Sequence, residues 1–185
     1  YYGNPDVSST SDIDEVFNYS TPRTVAYVVS SNMPSGDLNI ISLCNNNTII
    51  VDGSTYTLGL GETDTHANPS FGSAINATCA FGTASDAAAT DMVAPVSWAG
   101  TELLSYSYRS GGDDFGVLSP FGTATVALYD GASNEWNGAV GTAGTTFSNP
   151  IASRLRFTSD LPILVSMQDG NTDSRTIYPS TTDYL

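Results

Sequence analysis

The feature that most constrains this chain is a succession of short segments rich in Val, Ile, Thr and Tyr, each closed by Gly, Asn, Asp or Pro. Such segments are typical of β-strands, and about eight or nine strands are expected. They are TVAYVVSS, DLNIISLC, NTIIVDGSTYTLGL, VAPVSWAG, TELLSYSYR, TATVALYD, RLRFTS and PILVSMQ. The only helical pattern is SDAAATDM, residues 85–92. The chain is therefore predicted to be all-β, an antiparallel β-sandwich or jelly roll, with a closed barrel as the alternative.

Turn chemistry fixes one hairpin more firmly than the others. Asp52-Gly53 separates two strand-like runs, and this dipeptide supplies the positive φ angles that primed turns require. Asp130-Gly131 and Asp169-Gly170 are predicted to be turns of the same kind.

The run TVAYVVSS is apolar on both of its faces. One face carries Val25, Tyr27 and Val29, and the other carries Ala26 and Val28. A strand that is apolar on both sides is expected to be central in its sheet, with neighbours on both flanks.

The segment before that run differs in character. Residues 1–22 carry scattered apolar side chains among Ser, Asp and Asn, and they are predicted to form an extended arm, with residues 23–185 as the sandwich domain. Ile13, Phe17 and Tyr19 fall on one face of an extended strand, although Ser11 could equally cap a single helical turn. The candidate assembly residues are those of the arm and first strand, namely Ile13, Val16, Phe17, Tyr19, Val25, Tyr27 and Val29.

The charge of the chain limits its partners. There are 19 Asp and Glu residues against 5 Arg and no Lys, giving a formal net charge of -14. Such a surface repels phosphates, so nucleic acid and anionic membranes are disfavoured as partners, and no membrane insertion is expected. The composition is typical of a secreted or salt-adapted protein.

Two cysteines and three acceptor triplets point to an oxidising, extracellular location. Cys44 and Cys79 are predicted to form a disulfide, with two buried free thiols as the alternative. The triplets NYS, NNT and NAT are candidates for glycosylation at Asn18, Asn46 and Asn76. We expect any signal peptide to have been removed, because no charged segment followed by an apolar one opens the chain.

Most catalytic constellations are missing from the residue inventory. The single histidine, His66, is expected to be exposed in a polar loop, and no G-x-S-x-G elbow accompanies any serine. A carboxylate pair for sugar hydrolysis would have to come from Glu62, Glu102 and Glu135. Trp136 and Trp98 are interpreted as core anchors, with sugar binding as the alternative. The chain is therefore predicted not to be an enzyme and to need no cofactor.

Calcium is the one cofactor that the sequence leaves open. Asp169, Asn171 and Asp173 in DGNTDS place oxygen ligands at alternate positions, although the turn glycine and closing Glu of an EF-hand are missing. Asp113 and Asp114 in GGDDFG are expected to lie in a flexible turn.

An arm before a sandwich, together with a cysteine pair and glycan triplets, resembles the secreted subunits of donor-strand fibres. These are bacterial pilins of the chaperone and usher type and the glycosylated threads of some archaea. The chain departs from the usher-type pattern in lacking an alternating donor motif at its extreme N-terminus. The resemblance implies a non-enzymatic extracellular protein whose arm adds to identical subunits in a head-to-tail homopolymer. The alternatives are a carbohydrate- or calcium-binding module of a surface protein and a jelly-roll capsid subunit.

Overall fold

The structure, a computed structural model, is all-β. It describes residues 15–17, 23–29, 37–85, 93–106, 113–149, 154–169 and 175–177. Within these ranges the chain forms antiparallel strands and one 3-10 turn, Val96–Trp98. The chain divides into two compact units, Tyr1–Pro95 and Val96–Leu185. The predicted fold class is confirmed.

The first unit contains two antiparallel sheets. Its strands are β1 (Glu15–Phe17), β2 (Arg23–Val28), β3 (Leu38–Ser42), β4 (Asn47–Val51), β5 (Ser54–Leu58), β6 (Thr63–His66), β7 (Ala74–Ala77), β8 (Phe81–Ser85) and β9 (Val93–Pro95). One sheet has the order β1-β8-β3-β6, and the other has the order β5-β4-β7-β2-β9. The first eight strands are thus connected as in a jelly roll, and β9 extends the second sheet beyond β2.

The core of the first unit is built from both of its sheets, as expected of a sandwich. Phe81, Leu38 and Ile40 come from the β1-β8-β3-β6 sheet, while Ile49 and Ile75 come from the other, and all five are at most 1% exposed. Burying side chains of this size stabilises the fold by about 1.5–3 kcal/mol each.

The apolar run at the start of the domain is a central strand, as predicted. β2 pairs with β7 on one side and with β9 on the other. Four consecutive residues, 26–29, are buried, in agreement with an interior position. Burial also raises the pKa of Tyr27, because the phenolate would be poorly solvated there.

The Asp52-Gly53 hairpin is confirmed. β4 and β5 pair up to Val51 opposite Ser54, which leaves a two-residue loop. Asp52 has a φ of 48° and Gly53 a φ of 80°, the positive values that a primed turn needs. Asp130 likewise ends a strand that pairs with the next one across Gly131 and Ala132.

The second unit contains a seven-stranded sheet that curls over its own core. Its strands are β10 (Gly100–Tyr106), β11 (Asp113–Leu118), β12 (Ala124–Asp130), β13 (Ser133–Val140), β14 (Thr145–Asn149), β15 (Arg154–Asp169) and β16 (Arg175–Ile177). The order is β13-β12-β15-β11-β14, and β10 and β16 also pair with β15. Phe115 of β11 and Phe157 of β15 are fully buried in this core, with ring centroids 5.6 Å apart.

One long strand, β15, organises this second unit. Its first half pairs with β12 and with most of β10, and its second half pairs with β11 and β16, while Gly100 of β10 stands opposite Ile163. Pro162 lies where the partner changes from β12 to β11, a position at which a missing N–H interrupts no ladder. The predicted strands RLRFTS and PILVSMQ are therefore one strand.

Several other sequence predictions need correction. The strand count of eight or nine is too low, because the predicted segments do not include β6, β7, β8, β11, β13, β14 and β16. Asp113 and Asp114 are not in a flexible turn but begin β11, between β14 and β15. VAPVSWAG is only partly a strand, since Val96–Trp98 form the 3-10 turn. Residues 86–92 of the predicted helix lie outside the described residues, and the division into an arm of residues 1–22 and a domain of residues 23–185 stays a prediction.

Candidate functional site

The segment predicted to mediate assembly contains one described strand. β1 pairs antiparallel with β8 of its own chain, with Glu15 opposite Thr83, Val16 opposite Gly82 and Phe17 opposite Phe81. Phe17 therefore stands at the register position of Phe81, which is fully buried in the core. Within the described residues, β1 is an edge strand with β8 as its one neighbour.

In the part of the chain that the structure describes, the two sides of β8 pair over different lengths. On one side β3 pairs with all five residues of β8, from Phe81 to Ser85. On the other side the three residues of β1 reach only from Phe81 to Thr83. Within the described residues, the ladder between β1 and β8 therefore contains fewer residue pairs than the ladder between β3 and β8.

The remaining candidate assembly residues have different positions. Tyr27 and Val29 are buried inside the first unit, at 8% and 1% exposure, and Val25 lies in β2. Ile13 and Tyr19 lie outside the described residues. A role in assembly stays a prediction for all of them.

A cluster of polar side chains that the sequence did not reveal joins the two sheets of the first unit. The Nδ1 atom of His66 lies 2.8 Å from the hydroxyl of Tyr56, and its Nε2 lies 3.9 Å from Oδ2 of Asp52. The Ser73 hydroxyl donates to the same Asp52 oxygen at 2.5 Å. His66 belongs to β6 of one sheet, whereas Tyr56 belongs to β5 of the other and Asp52 to the turn before it.

The expectation that His66 is exposed is wrong: its exposure is 9%. The partner that explains its burial comes from another sheet, so no local sequence signal could have indicated it. The order of contacts differs from that of a nucleophile–base pair, because the Ser73 hydroxyl donates to Asp52 and not to His66. Ser73 is itself only 4% exposed. These contacts link the two sheets of the first unit to each other.

The two candidate carboxylates for sugar hydrolysis in the second unit are not brought together. Glu102 of β10 and Glu135 of β13 are separated by β15 and β12 in the sheet order. Three strand spacings amount to roughly 14 Å, beyond the separations that glycosidases use. Glu102 lies 3.7 Å from Arg156, and Glu62 accepts the backbone N–H of Gly59 at 2.6 Å.

The predicted tryptophan anchor of the second unit is confirmed. Trp136 is partly buried and packs against that unit's core. Trp98 is half-buried at the end of the 3-10 turn.

The calcium candidate falls largely outside the described residues. Asp169 ends β15, where it stands opposite Asp113 of β11, but Asn171 and Asp173 lie beyond the described part. Among the residues that the structure describes, no group of three His, Cys, Asp or Glu side chains could hold a metal ion. Calcium binding stays a prediction.

The covalent features of the first unit have clear positions. Cys44 and Cys79 form the predicted disulfide, with their Cα atoms 6.6 Å apart. Asn46 is exposed in the turn before β4, and Asn76 is half-buried in β7. Asn18 lies outside the described residues.

Within the described residues, no helix is long and apolar enough to cross a membrane.

Comparison with known proteins gives no relative from which a function could be transferred. No protein family, curated protein or solved structure matches the chain.

Proposed function

We propose that this protein is a non-enzymatic, extracellular structural protein that polymerises head to tail, with the N-terminal strand of each molecule adding to a sheet of the next. The observation that supports this proposal is the position of β1. It is the first strand of a jelly roll, and in the described chain its one ladder is the three-residue ladder with β8. Among the described residues, its departure would break no other pairing.

An exchanged strand can form the same contacts in another molecule. Glu15–Phe17 of one copy would pair with Phe81–Thr83 of the next, so the backbone hydrogen bonds lost within the chain are regained between chains. Residues 18–22 connect β1 to β2, and five extended residues span up to about 17 Å. Because donor and acceptor are different surfaces of the molecule, repetition without closure gives a fibre.

The disulfide supports an extracellular location, and the net charge makes assembly depend on salt. The Cys44–Cys79 bridge is typical of proteins in oxidising compartments. A net charge of -14 makes copies repel one another, and salt reduces that repulsion, since the Debye length falls from about 10 Å at 0.1 M to about 3 Å at 1 M. Assembly is therefore expected to strengthen as the salt concentration rises.

The experiment places a cysteine pair across the β1–β8 ladder. Glu15→Cys with Thr83→Cys puts two thiols at directly opposite positions, whose Cα separation in an antiparallel pair suits a disulfide. After oxidation of assembled material, the proposal expects a ladder of covalently linked chains on non-reducing gels. Glu15→Cys alone is the control, because a single added cysteine gives dimers at most.

The same variant also tests the proposal in the opposite direction. Oxidation of dilute monomer should lock β1 onto its own β8, and the locked protein should form no filaments under negative-stain microscopy until it is reduced. Filaments grown from the locked monomer would refute strand exchange. So would filaments in which the new disulfide stays entirely within chains.

A further inference from the structure

Three consecutive asparagines, Asn45, Asn46 and Asn47, lie where the chain turns into β4, and their side chains have different environments. Asn45 is exposed, and its Oδ1 accepts the backbone N–H of Leu60 at 3.3 Å. Asn47 is fully buried. Asn46 is exposed and has no side-chain hydrogen bond in the described part of the chain.

Asn47 is fixed by contacts to a distant segment. Its Oδ1 accepts from the Thr78 hydroxyl at 3.0 Å and from the backbone N–H of Cys79 at 3.1 Å. Its Nδ2 donates to the carbonyl of Ala80 at 3.0 Å. Neither amide hydrogen of this buried side chain is available for chemistry at the surface.

Asn46 is held from both sides while remaining accessible itself. Cys44, two residues before it, is anchored by its disulfide to Cys79, and Asn47 is anchored as described. The backbone of Asn46 has a φ of 55°, a left-handed conformation that asparagine tolerates better than most residues. The turn therefore exposes the carboxamide of Asn46, while the backbone on either side of it is held by the disulfide and by the contacts of Asn47.

The second described triplet is differently placed. Asn76 lies in β7, with β4 on one side, where it stands opposite Ile50, and β2 on the other, where it stands opposite Thr24. Its side chain is half-buried between these neighbours. A substituent there would occupy the face of a three-stranded stretch of sheet instead of projecting from a turn.

We propose that Asn46 is a site of N-linked glycosylation and that Asn76 is not, although both begin an acceptor triplet. In the transfer step, Nδ2 of Asn46 bonds to the anomeric carbon of a lipid-phosphate-linked oligosaccharide. The bond from that carbon to the donor's phosphate oxygen breaks, and the lipid phosphate leaves with the electron pair. The proton lost by the nitrogen balances the charge on the leaving group. This inference does not depend on the proposed function.

The test measures intact mass after secretion from a host that N-glycosylates its exported proteins. The background carries Asn18→Gln, so that only the two described triplets remain. We expect one glycan, lost completely in Asn46→Gln and retained in the matched variant Asn76→Gln. Asn46→Asp, which keeps the positive φ better than Gln does, should also lose it and should fold normally.

Each result of this experiment either supports the assignment of the glycan to Asn46 or overturns it. Site-specific loss with Asn46→Asp, together with an unchanged far-ultraviolet spectrum and a retained Cys44–Cys79 bridge, supports the assignment. A mass equal to that of the bare polypeptide overturns it. A glycan on Asn76, found as a mass change in Asn76→Gln or in a mapped peptide, overturns it as well.

Discussion

The hydroxyl of Tyr56 and Nδ1 of His66 lie 2.8 Å apart, and this hydrogen bond joins β5 of one sheet to β6 of the other. The two rings are nearly perpendicular, at 84°, with centroids 6.1 Å apart. The pair thus ties the sheets together at the edge where β5 and β6 are outermost strands, and it does so through a histidine that is only 9% exposed.

Tyr56→Phe should therefore destabilise the protein. It removes the hydroxyl and leaves a buried ring nitrogen without its partner, a loss of about 1–2 kcal/mol in the free energy of unfolding. Urea denaturation followed by circular dichroism measures this change. Tyr129→Phe is the matched control, because the Tyr129 ring lies under Arg156 at 5.1 Å but its hydroxyl has no hydrogen bond among the described residues. Equal effects of the two substitutions would contradict the role of the Tyr56–His66 bond.

Features set by neighbouring residues could be predicted from the sequence. The Asp52-Gly53 turn follows from the φ preferences of two adjacent residues, and the central position of β2 follows from its apolar pattern. The disulfide followed from the count of cysteines.

Features set by distant partners could not be predicted. β6 has the sequence TDTH and three exposed residues, so its own preferences do not favour a strand, and its pairing with β3 makes it one. The burial of His66 requires Tyr56 on another sheet, and the pairing of β1 with β8 requires the jelly-roll connections. Each of these contacts depends on a partner in a distant segment, so the sequence of one segment alone does not indicate it.

Asn47→Ala should be among the most damaging single substitutions of an asparagine in this chain. It removes the bonds to Thr78, Cys79 and Ala80 and leaves the backbone N–H of Cys79 without its acceptor, next to a buried site. We expect a loss of about 2–4 kcal/mol in the free energy of unfolding. Asn45→Ala, which removes one exposed bond at 3.3 Å, is the control and should cost less than about 1 kcal/mol. A small effect at Asn47 would contradict its proposed importance.

The disulfide and Asn47 should be energetically coupled, because Cys79 is bound by both. Replacing both cysteines by serine removes a cross-link between residues 35 apart and should cost about 4 kcal/mol. Once the cross-link is gone, Thr78 and Ala80 keep their backbone hydrogen bonds to Thr48 and Leu43, but Cys79 depends on its bond to Asn47. Because both changes act on Cys79, the double change should not be additive. A double-mutant cycle by urea denaturation measures the coupling. An interaction energy near zero would show that the disulfide and the Asn47 hydrogen bonds stabilise the protein independently.

Gly138→Ala should disturb the packing of Trp136. A Cβ at position 138 would lie 2.8 Å from Cζ2 of the indole, closer than such contacts allow, so the ring that packs against the core of the second unit must shift. We expect a loss of about 1–3 kcal/mol. Gly141→Ala is the control, because its Cβ would meet only Thr123 Oγ1 at 3.9 Å. Thermal unfolding distinguishes the two, and equal melting temperatures would show that the indole adjusts without cost.

Asp160 should make stability depend on pH in the acidic range. The backbone N–H of Thr125 donates to its carboxylate at 2.7 Å and lowers the pKa of Asp160 in the folded protein. The folded state then binds fewer protons than the unfolded state, so this contribution is present above the unfolded pKa of about 3.9 and is lost as the pH falls through the folded pKa. Asp160→Asn cannot titrate, and the gap in melting temperature between wild type and variant should therefore narrow below about pH 4. Melting curves from about pH 7 to pH 2.5 test this, with the carboxyl carbon shift of Asp160 as a direct check. A gap that stays constant through that range would mean that the Thr125 bond does not favour the ionised carboxylate.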